Sequence, residues 1–498
     1  MSASTMAVAD ATRQSLFREA ISLERRLFRA ERLVLLITVI LLAAVAYALF
    51  NGAAWRDRQS SLLASARLEE STRLDEQRDK LTRMNAGSFT PTGAFQNPRN
   101  PLWVGLRHAA TYAALPATPL AITAIGQSDL NPPYVLVSAD SRETFALNEE
   151  IENPGNLLAG RFDLAFFVVF LLPLVIVTLS YNLLSAEREQ GTLAMTASNP
   201  VRLALLLWAK LSYRAAVVLV PLVVFVLGGL LLLGAPILEA DGPVRIGGWL
   251  LLVTAYVGFW FAVTAAVTVL GRGSAHNALM LVSIWIVLVL VLPTVGSVAV
   301  NLSFPVPSRA EMINTLRAVK TDSARTADAG AAKYALEHET DRNGGAVNDK
   351  DFEAARKRVL SVQLAAEQIA STMAVYDRQI ARQRSTIAWL RFLSPAVLMQ
   401  DALNTIAGTG DERYADFSVQ VDAFHQQWQQ YFNARVLANE PLTLRDYDAF
   451  PRFVYRPGSV ATVIAPLVPA LIGLLLPMLL LFAYAIRRIE RYPITDRA

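Results

Sequence analysis

The sequence predicts a mainly α-helical membrane protein: six transmembrane helices, a mixed α/β ectodomain after span 1, and a helical, coiled-coil-containing ectodomain after span 5. Three observations predict it. The 498 residues are 53% hydrophobic with a mean hydropathy of +0.35, more apolar than an ordinary soluble chain. The apolar residues are gathered in blocks of about 18 or more with few charges, the length that crosses a bilayer. Arginine concentrates in one alternating set of the short connections between blocks, as the positive-inside rule requires.

The spans fall at 33–50, 164–184, 203–234, 246–270, 277–300 and 459–486. The third run is longer than a bilayer needs, so its first turns are expected at the interface. The first block has a second reading as a signal peptide, since Ala46-Tyr47-Ala48 resembles a cleavage site. Its charged leader, residues 1–32, is long for a signal sequence. Orientation follows from arginine and lysine. Arg25, Arg26, Arg29 and Arg32 precede span 1; Arg188, Arg202, Lys210 and Arg214 surround the 185–202 connection; Arg272 lies between spans 4 and 5; Arg487, Arg488, Arg491 and Arg497 form the 487–498 tail. These share one face, the cytoplasmic one, which places both termini inside and both long segments, 51–163 and 301–458, outside.

Within the leader, Leu16, Phe17, Ala20, Leu23, Leu27 and Phe28 recur at helical spacing among charges, the pattern of a helix lying on a membrane surface. It reads either as an extension of span 1 or as an interfacial helix that also touches a cytoplasmic partner. In the first ectodomain, 56–84 has a helical charge pattern. "PLAITAIG" (119–126) and "PYVLVSA" (133–139) read as short strands joined by a turn over Gly126–Pro133.

In the second ectodomain, Asn348 is a candidate N-cap after the turn at 342–345. Phe352, Ala355, Val359, Val362, Ala366, Ile369, Met373, Tyr376, Ile380, Gln383, Ile387 and Leu390 then follow in 3–4 spacing, with Gln383 the one polar member. That is a coiled-coil seam roughly 60 Å long, with residues 309–338 as its hairpin partner. The seam either packs the ectodomain's own core or joins two protomers. Further helices are expected over 395–457.

Composition excludes much chemistry. There is no cysteine, hence no disulfide, thiolate nucleophile or zinc-thiolate site, and the four histidines (His108, His276, His338, His425) are far apart in sequence. The net charge of +4 is too small to argue for nucleic acid. No phosphate-binding loop, nucleophile elbow or H-E-x-x-H is present, so the chain is expected to be no enzyme and to bind no metal or cofactor itself. Glu149 and Glu150 are adjacent and point apart.

The stretch "LLSAEREQGTLAMTASNPV" (183–201) stands out between two apolar runs. Arginine at a span end needs no further cause, but Glu187 and Glu189 are not what the positive-inside rule predicts there. Gly191 permits a tight turn, and Asn199-Pro200 suits the start of the next helix. A short helix held to the membrane by Leu193 and Met195, presenting carboxylates to a basic partner, fits these residues.

"ERE-x-GTL…NPV" followed by Lys210 resembles the loop between spans 2 and 3 of ABC-2-type transporter permeases. "AIGQSDLNP" (124–132), residues 156–193 and "LSPAVLMQDALNTIAGTG" (393–410) resemble the branch with two large ectodomains, so the likeness covers nearly the whole chain. It implies that Glu187, Arg188, Glu189, Gly191 and Thr192 form a coupling helix docked on a separate ATPase subunit, present in two copies, which carries the ATP and magnesium. It implies a second permease copy or a sister permease, and a connecting helix at 12–30. It places the chain in a bacterial inner membrane with periplasmic ectodomains, one of which is free to receive a periplasmic partner. In this layout spans 2 and 5 line the path. Its polar candidates are Thr178, Ser180, Tyr181, Asn182, Thr294 and Asn301. Pro173, Pro221 and Pro293 are expected to kink their helices.

Overall fold

The computed structural model describes residues 17–26, 32–126, 128, 131–140, 162–198, 202–304 and 391–494, with parts of 314–390. Six of its helices are long and apolar enough to cross a membrane: the first part of Arg32–Asn85, then Leu164–Glu189, Leu203–Leu232, Gly242–Thr268, Ser274–Ser303 and Val460–Ile489. Span 4 is the bundle's centre. Its Tyr256 and Trp260 are fully buried, and Gly258 lets Met478 of span 6 approach so closely that a Cβ would lie 2.7 Å from its sulfur.

Span 1 does not end at the membrane boundary. It continues as one helix of 54 residues, Arg32–Asn85, about 80 Å long. Residues 56–84 are rich in Arg, Glu, Gln and Leu, which favour helix. The helix ends where Gly87 takes φ +73° and Ser88 N–H bonds back to Arg83 O at 2.9 Å, a left-handed glycine stop.

Spans 2 and 5 are built alike. Each has a widened π-type turn, Phe167–Leu171 and Ile286–Val291, ending two residues before its proline, Pro173 or Pro293. Proline offers no N–H to the preceding turn, and freed carbonyls need donors inside a bilayer. Tyr256 Oη donates to Val169 O at 2.9 Å, and Ser394 Oγ donates to Leu288 O at 2.6 Å. Pro221 instead sits inside the continuous helix Leu203–Leu232.

The two long segments that follow spans 1 and 5, expected to be the ectodomains, share one core. Leu81, Val104, Ala113 and Val137 from the first pack with Phe417, Val421, Phe424, Trp428 and Phe432 from the second. The latter five recur at helical spacing on the helix Asp411–Leu437. Gly105 is needed here, since a Cβ would lie 2.5 Å from the Phe432 ring.

The strands differ from the expected pair. β1 (Thr111–Ala114) and β2 (Tyr134–Val137) are antiparallel, with Thr111 opposite Val137 and Ala114 opposite Tyr134. Residues 119–126 form no strand but a 3₁₀ turn at Ala121–Thr123. The apolar alternation that suggested a strand serves docking: Leu120, Ile122 and Ala124 insert into the membrane bundle's core. Two strands alone are marginal; the helix Asp411–Leu437 covers them.

Of the expected coiled-coil seam, Ala355 and Val359 pack against Leu102 and Val436 of the ectodomain, Val362 is buried and Ala366 is exposed. Phe352, Ile369, Met373, Tyr376, Ile380, Gln383 and Ile387, most of the 309–338 partner, Glu149, Glu150 and Asn199-Pro200 lie outside the described residues.

The short helix Leu444–Asp448 is closed by a capping box between Thr443 and Asp446. Burial alone would raise the Asp446 carboxyl; bonds from the Thr443 hydroxyl and N–H and from Arg435 outweigh it and hold the group below the usual carboxylate range. A lowered folded value means stabilisation that is present above about pH 4, the ordinary carboxylate value, and is lost as pH falls through the folded value. Asp446→Asn is therefore expected to speed hydrogen exchange in 443–450 at pH 7, by a local destabilisation of about 1 kcal/mol. That difference should shrink progressively as the pH falls below about 4.

Candidate functional site

The charged stretch lies at the end of the bundle away from the ectodomain. After span 2 the chain forms two short helices, Ser185–Glu189 and Thr192–Ala197, joined through Gly191 at φ +76°. That left-handed turn strains any side chain, which accounts for glycine there.

Glu187 is half-buried, whereas Glu189 is exposed although it is bonded to Ser274. Glu187 Oε1 accepts from Lys210 Nζ at 2.6 Å, and Lys210 also donates to Leu183 O at 3.0 Å. Glu189 takes both groups of Ser274, the N–H at 2.6 Å and the hydroxyl at 2.9 Å. It thereby places a negative charge on the start of span 5, where free N–H groups and the helix dipole favour it. Arg188 is buried, donates to Gly271 O at 2.7 Å and lies against the Tyr492 ring. Ser185 Oγ meets Ser274 Oγ at 2.8 Å. The three charges tie the loop to span 3, to the 271–274 connection and to the chain's last turn.

A second layer lies beneath. Glu24, on the helix formed by 17–26, is only 2% exposed. Arg214 grips it through Nε at 2.8 Å and Nη2 at 2.7 Å, and Lys210 Nζ is 3.8 Å away. Arg214 Nη1 also donates to Leu179 O at 2.5 Å and Asn182 Oδ1 at 3.2 Å. Two carboxylates and two cations thus alternate from the leading helix through span 3 to the loop. Glu24 is the residue that sequence reading missed. Its signal was a charge four residues after Ala20 on the apolar stripe. Ala20 and Glu24 face the bundle, while Leu23, expected on the face toward the membrane surface, is exposed.

Of the two carboxylates, Glu189 borders the loop's exposed tip and Glu187 does not. Gln190, Gly191, Thr192 and Ala194 are exposed. Of the two residues expected against the membrane, Leu193 is fully buried in the bundle and Met195 is 73% exposed. Around the tip, Arg25, Arg26, Arg202, Arg272, Arg487, Arg488 and Arg491 are exposed.

The six polar path candidates separate into two groups. Thr178, Thr294 and Asn301 are on exposed faces, the two threonines bonded back to Leu174 O and Leu290 O at 2.7 Å. Ser180 is fully buried and bonded to Ile176 O, with Thr264 Oγ1 of span 4 at 3.4 Å. Asn182 serves Arg214, and Tyr181 is half-buried with its carbonyl facing Asn277. No group of three or more His, Asp or Glu side chains able to hold a metal occurs among the described residues.

Fold and site together define a multi-pass, mainly α-helical membrane protein. Its residues 309–456 match a family described as a domain of unknown function (DUF3526). That match begins just past span 5 and covers most of the long segment that follows it. No curated protein matches the chain.

Proposed function

We propose that this chain is the permease subunit of an ABC-2-type transporter, exporting or extracting a substrate with ATP and magnesium held on two copies of a separate ATPase subunit beneath a permease dimer. The supporting observation is the continuous junction Arg214–Glu24–Lys210–Glu187, with Glu189 of the same loop bonded to Ser274. A push on the Gln190–Met195 tip reaches span 3 and span 5 and the leading helix together, because a buried charge cannot part from its partner cheaply. In this reading Gly191 and Thr192 form the contact. Glu187 and Arg188 stiffen the lever behind it, so the tip meets its partner through Met195, the surrounding arginines and the exposed Glu189. The termini and tip are cytoplasmic in a bacterial inner membrane, and the ectodomains are periplasmic.

The full-length chain in mild detergent is expected to carry an ATP-hydrolysing subunit with it. Thr192→Asp together with Met195→Asp should reduce association by about tenfold or more, as for loss of an apolar interface anchor. The thermal midpoint of the permease should not move. If the complex and its ATPase activity survive both changes, the tip has no coupling role.

A second reading has its own support. The unbroken 54-residue helix from span 1 into the ectodomain suits a rigid rod that moves an envelope partner with nothing crossing the bilayer. Thr178→Trp with Thr294→Trp would obstruct a path between spans 2 and 5; activity that persists with both favours the rod.

A further inference from the structure

We infer that a cleft at the ectodomain end of span 5 holds one acyl chain of a zwitterionic phospholipid, with the lipid phosphate on Arg391. The cleft, about 250 Å³, lies between Leu292–Asn301 of span 5 and the turn Leu390–Val397. Its walls include Pro293, Val300, Leu393 and Val397. Gly296 leaves it open, since a Cβ there would meet nothing within 4 Å. Sites for whole small molecules run roughly 300–1,000 Å³. This one suits a single chain whose lipid otherwise stays in the bilayer.

Location argues the occupant. Span 5 is the least buried of the six, with 11% of its apolar window covered, and Val291, Val295 and Val298 beside the cleft are exposed. In a membrane those side chains meet hydrocarbon, and so does the mouth of the cleft. The turn marks the headgroup level: Trp389 is 79% exposed, and Phe392 and Leu393 are exposed beside it, as in aromatic belts.

Charge argues the headgroup. Arg391 Nη1 is paired with Asp401 Oδ2 at 2.6 Å, and the guanidinium lies 5.5 Å from the Phe392 ring. Its Nε is buried and makes no hydrogen bond among the described residues. The guanidinium's outer N–H groups, rather than the buried Nε, are the donors a phosphate oxygen can reach. Asp401, bonded to Arg391, and Glu412 near both put carboxylates beside the one guanidinium, a setting that suits a phosphate followed by an ammonium better than a purely anionic head. The inference holds whether or not an ATPase drives the bundle.

The test is native mass spectrometry of the full-length chain, delipidated in detergent and titrated with phosphatidylethanolamine or with diacylglycerol of the same chains. One saturable phospholipid per chain is expected. Gly296→Trp, or Ser297→Phe should the first not fold, should weaken it by about tenfold or more, while Val295→Trp on the exposed face leaves it unchanged. Arg391→Gln should weaken phospholipid by about tenfold, the worth of one charge-assisted hydrogen bond, without affecting diacylglycerol. No saturable lipid, or equal binding by the Gly296 and Val295 variants, overturns the site. Equal loss of both lipids in Arg391→Gln overturns the phosphate contact. If Gly296→Trp instead turns a dimer into monomers with lipid unchanged, a second copy fills the cleft and the proposal falls.

Discussion

Replacing Arg214 by methionine is expected to release the leading helix and lower stability by about 3–5 kcal/mol, the usual result of removing one partner from a buried ion pair. Glu24 would keep only Lys210 at 3.8 Å, and that cation already serves Glu187. Leu179 O and Asn182 Oδ1 would lose their donor as well. An unpaired carboxylate at 2% exposure either drags its helix into water or takes up a proton. Replacing both partners, Arg214→Met with Glu24→Leu, should recover much of the loss, because removing both charges leaves none uncompensated. Limited proteolysis across 17–31 and the thermal midpoint in detergent measure the two parts separately. An Arg214→Met protein with an unchanged midpoint and an intact leading segment would show that the junction does not hold that helix.

The same residues show what was legible. Blocks of apolar sequence located all six membrane-crossing helices, because hydrophobic length is a local property. The loop's importance was visible in Glu187 and Glu189, and the need for Gly191 in its setting. The partners those carboxylates bond to were not. Lys210 is 23 residues from Glu187, and Ser274 is 85 from Glu189, so their pairing is set by how spans pack and not by any local pattern. The reading of 119–126 failed for a related reason. Alternating apolar residues signal a surface to be covered but do not say by what, and here the cover is span 1 rather than a strand. The motifs at 124–132 and 393–410 also gain a physical meaning. Gly126 lies against Asn404 and Thr409, Thr118 donates to Ala407 O, and Arg245 of span 4 donates to Ile406 O at 2.6 Å. Stretches far apart in sequence thus form one joint between ectodomain and bundle.

Substituting Gly52 should break that joint. A Cβ at Gly52 would stand 1.9 Å from Ile122 O and 2.9 Å from its carbonyl carbon, and both are backbone atoms that cannot rotate away. Nor can the turn withdraw easily. Leu120, Ile122 and Ala124 are buried in the bundle core. Ile125 N–H is held by Asp163 Oδ2 at 2.7 Å, and the same carboxylate caps span 2 through Phe166 N–H at 2.7 Å. Asn51 beside the glycine donates to Phe162 O at 2.7 Å. Alanine is the better helix former by up to about 1 kcal/mol, yet overpacking costs about 1–3 kcal/mol and sometimes more, so Gly52→Ala should be net destabilising and Gly52→Val more so. Gly228 in span 3 has open space at its Cβ, and Gly228→Ala should be neutral or slightly stabilising. Hydrogen exchange over 119–126 reports the damage: fast exchange in the Gly52 variants, unchanged exchange in Gly228→Ala. If Gly52→Val exchanges like the wild type, the close approach of span 1 to this turn is wrong. If it exchanges fast while residues 17–26 and 183–195 stay protected, the ectodomain has been uncoupled from the bundle. That variant then separates the two functional readings, because movement of an envelope partner needs the joint, whereas extraction of a substrate by the spans does not.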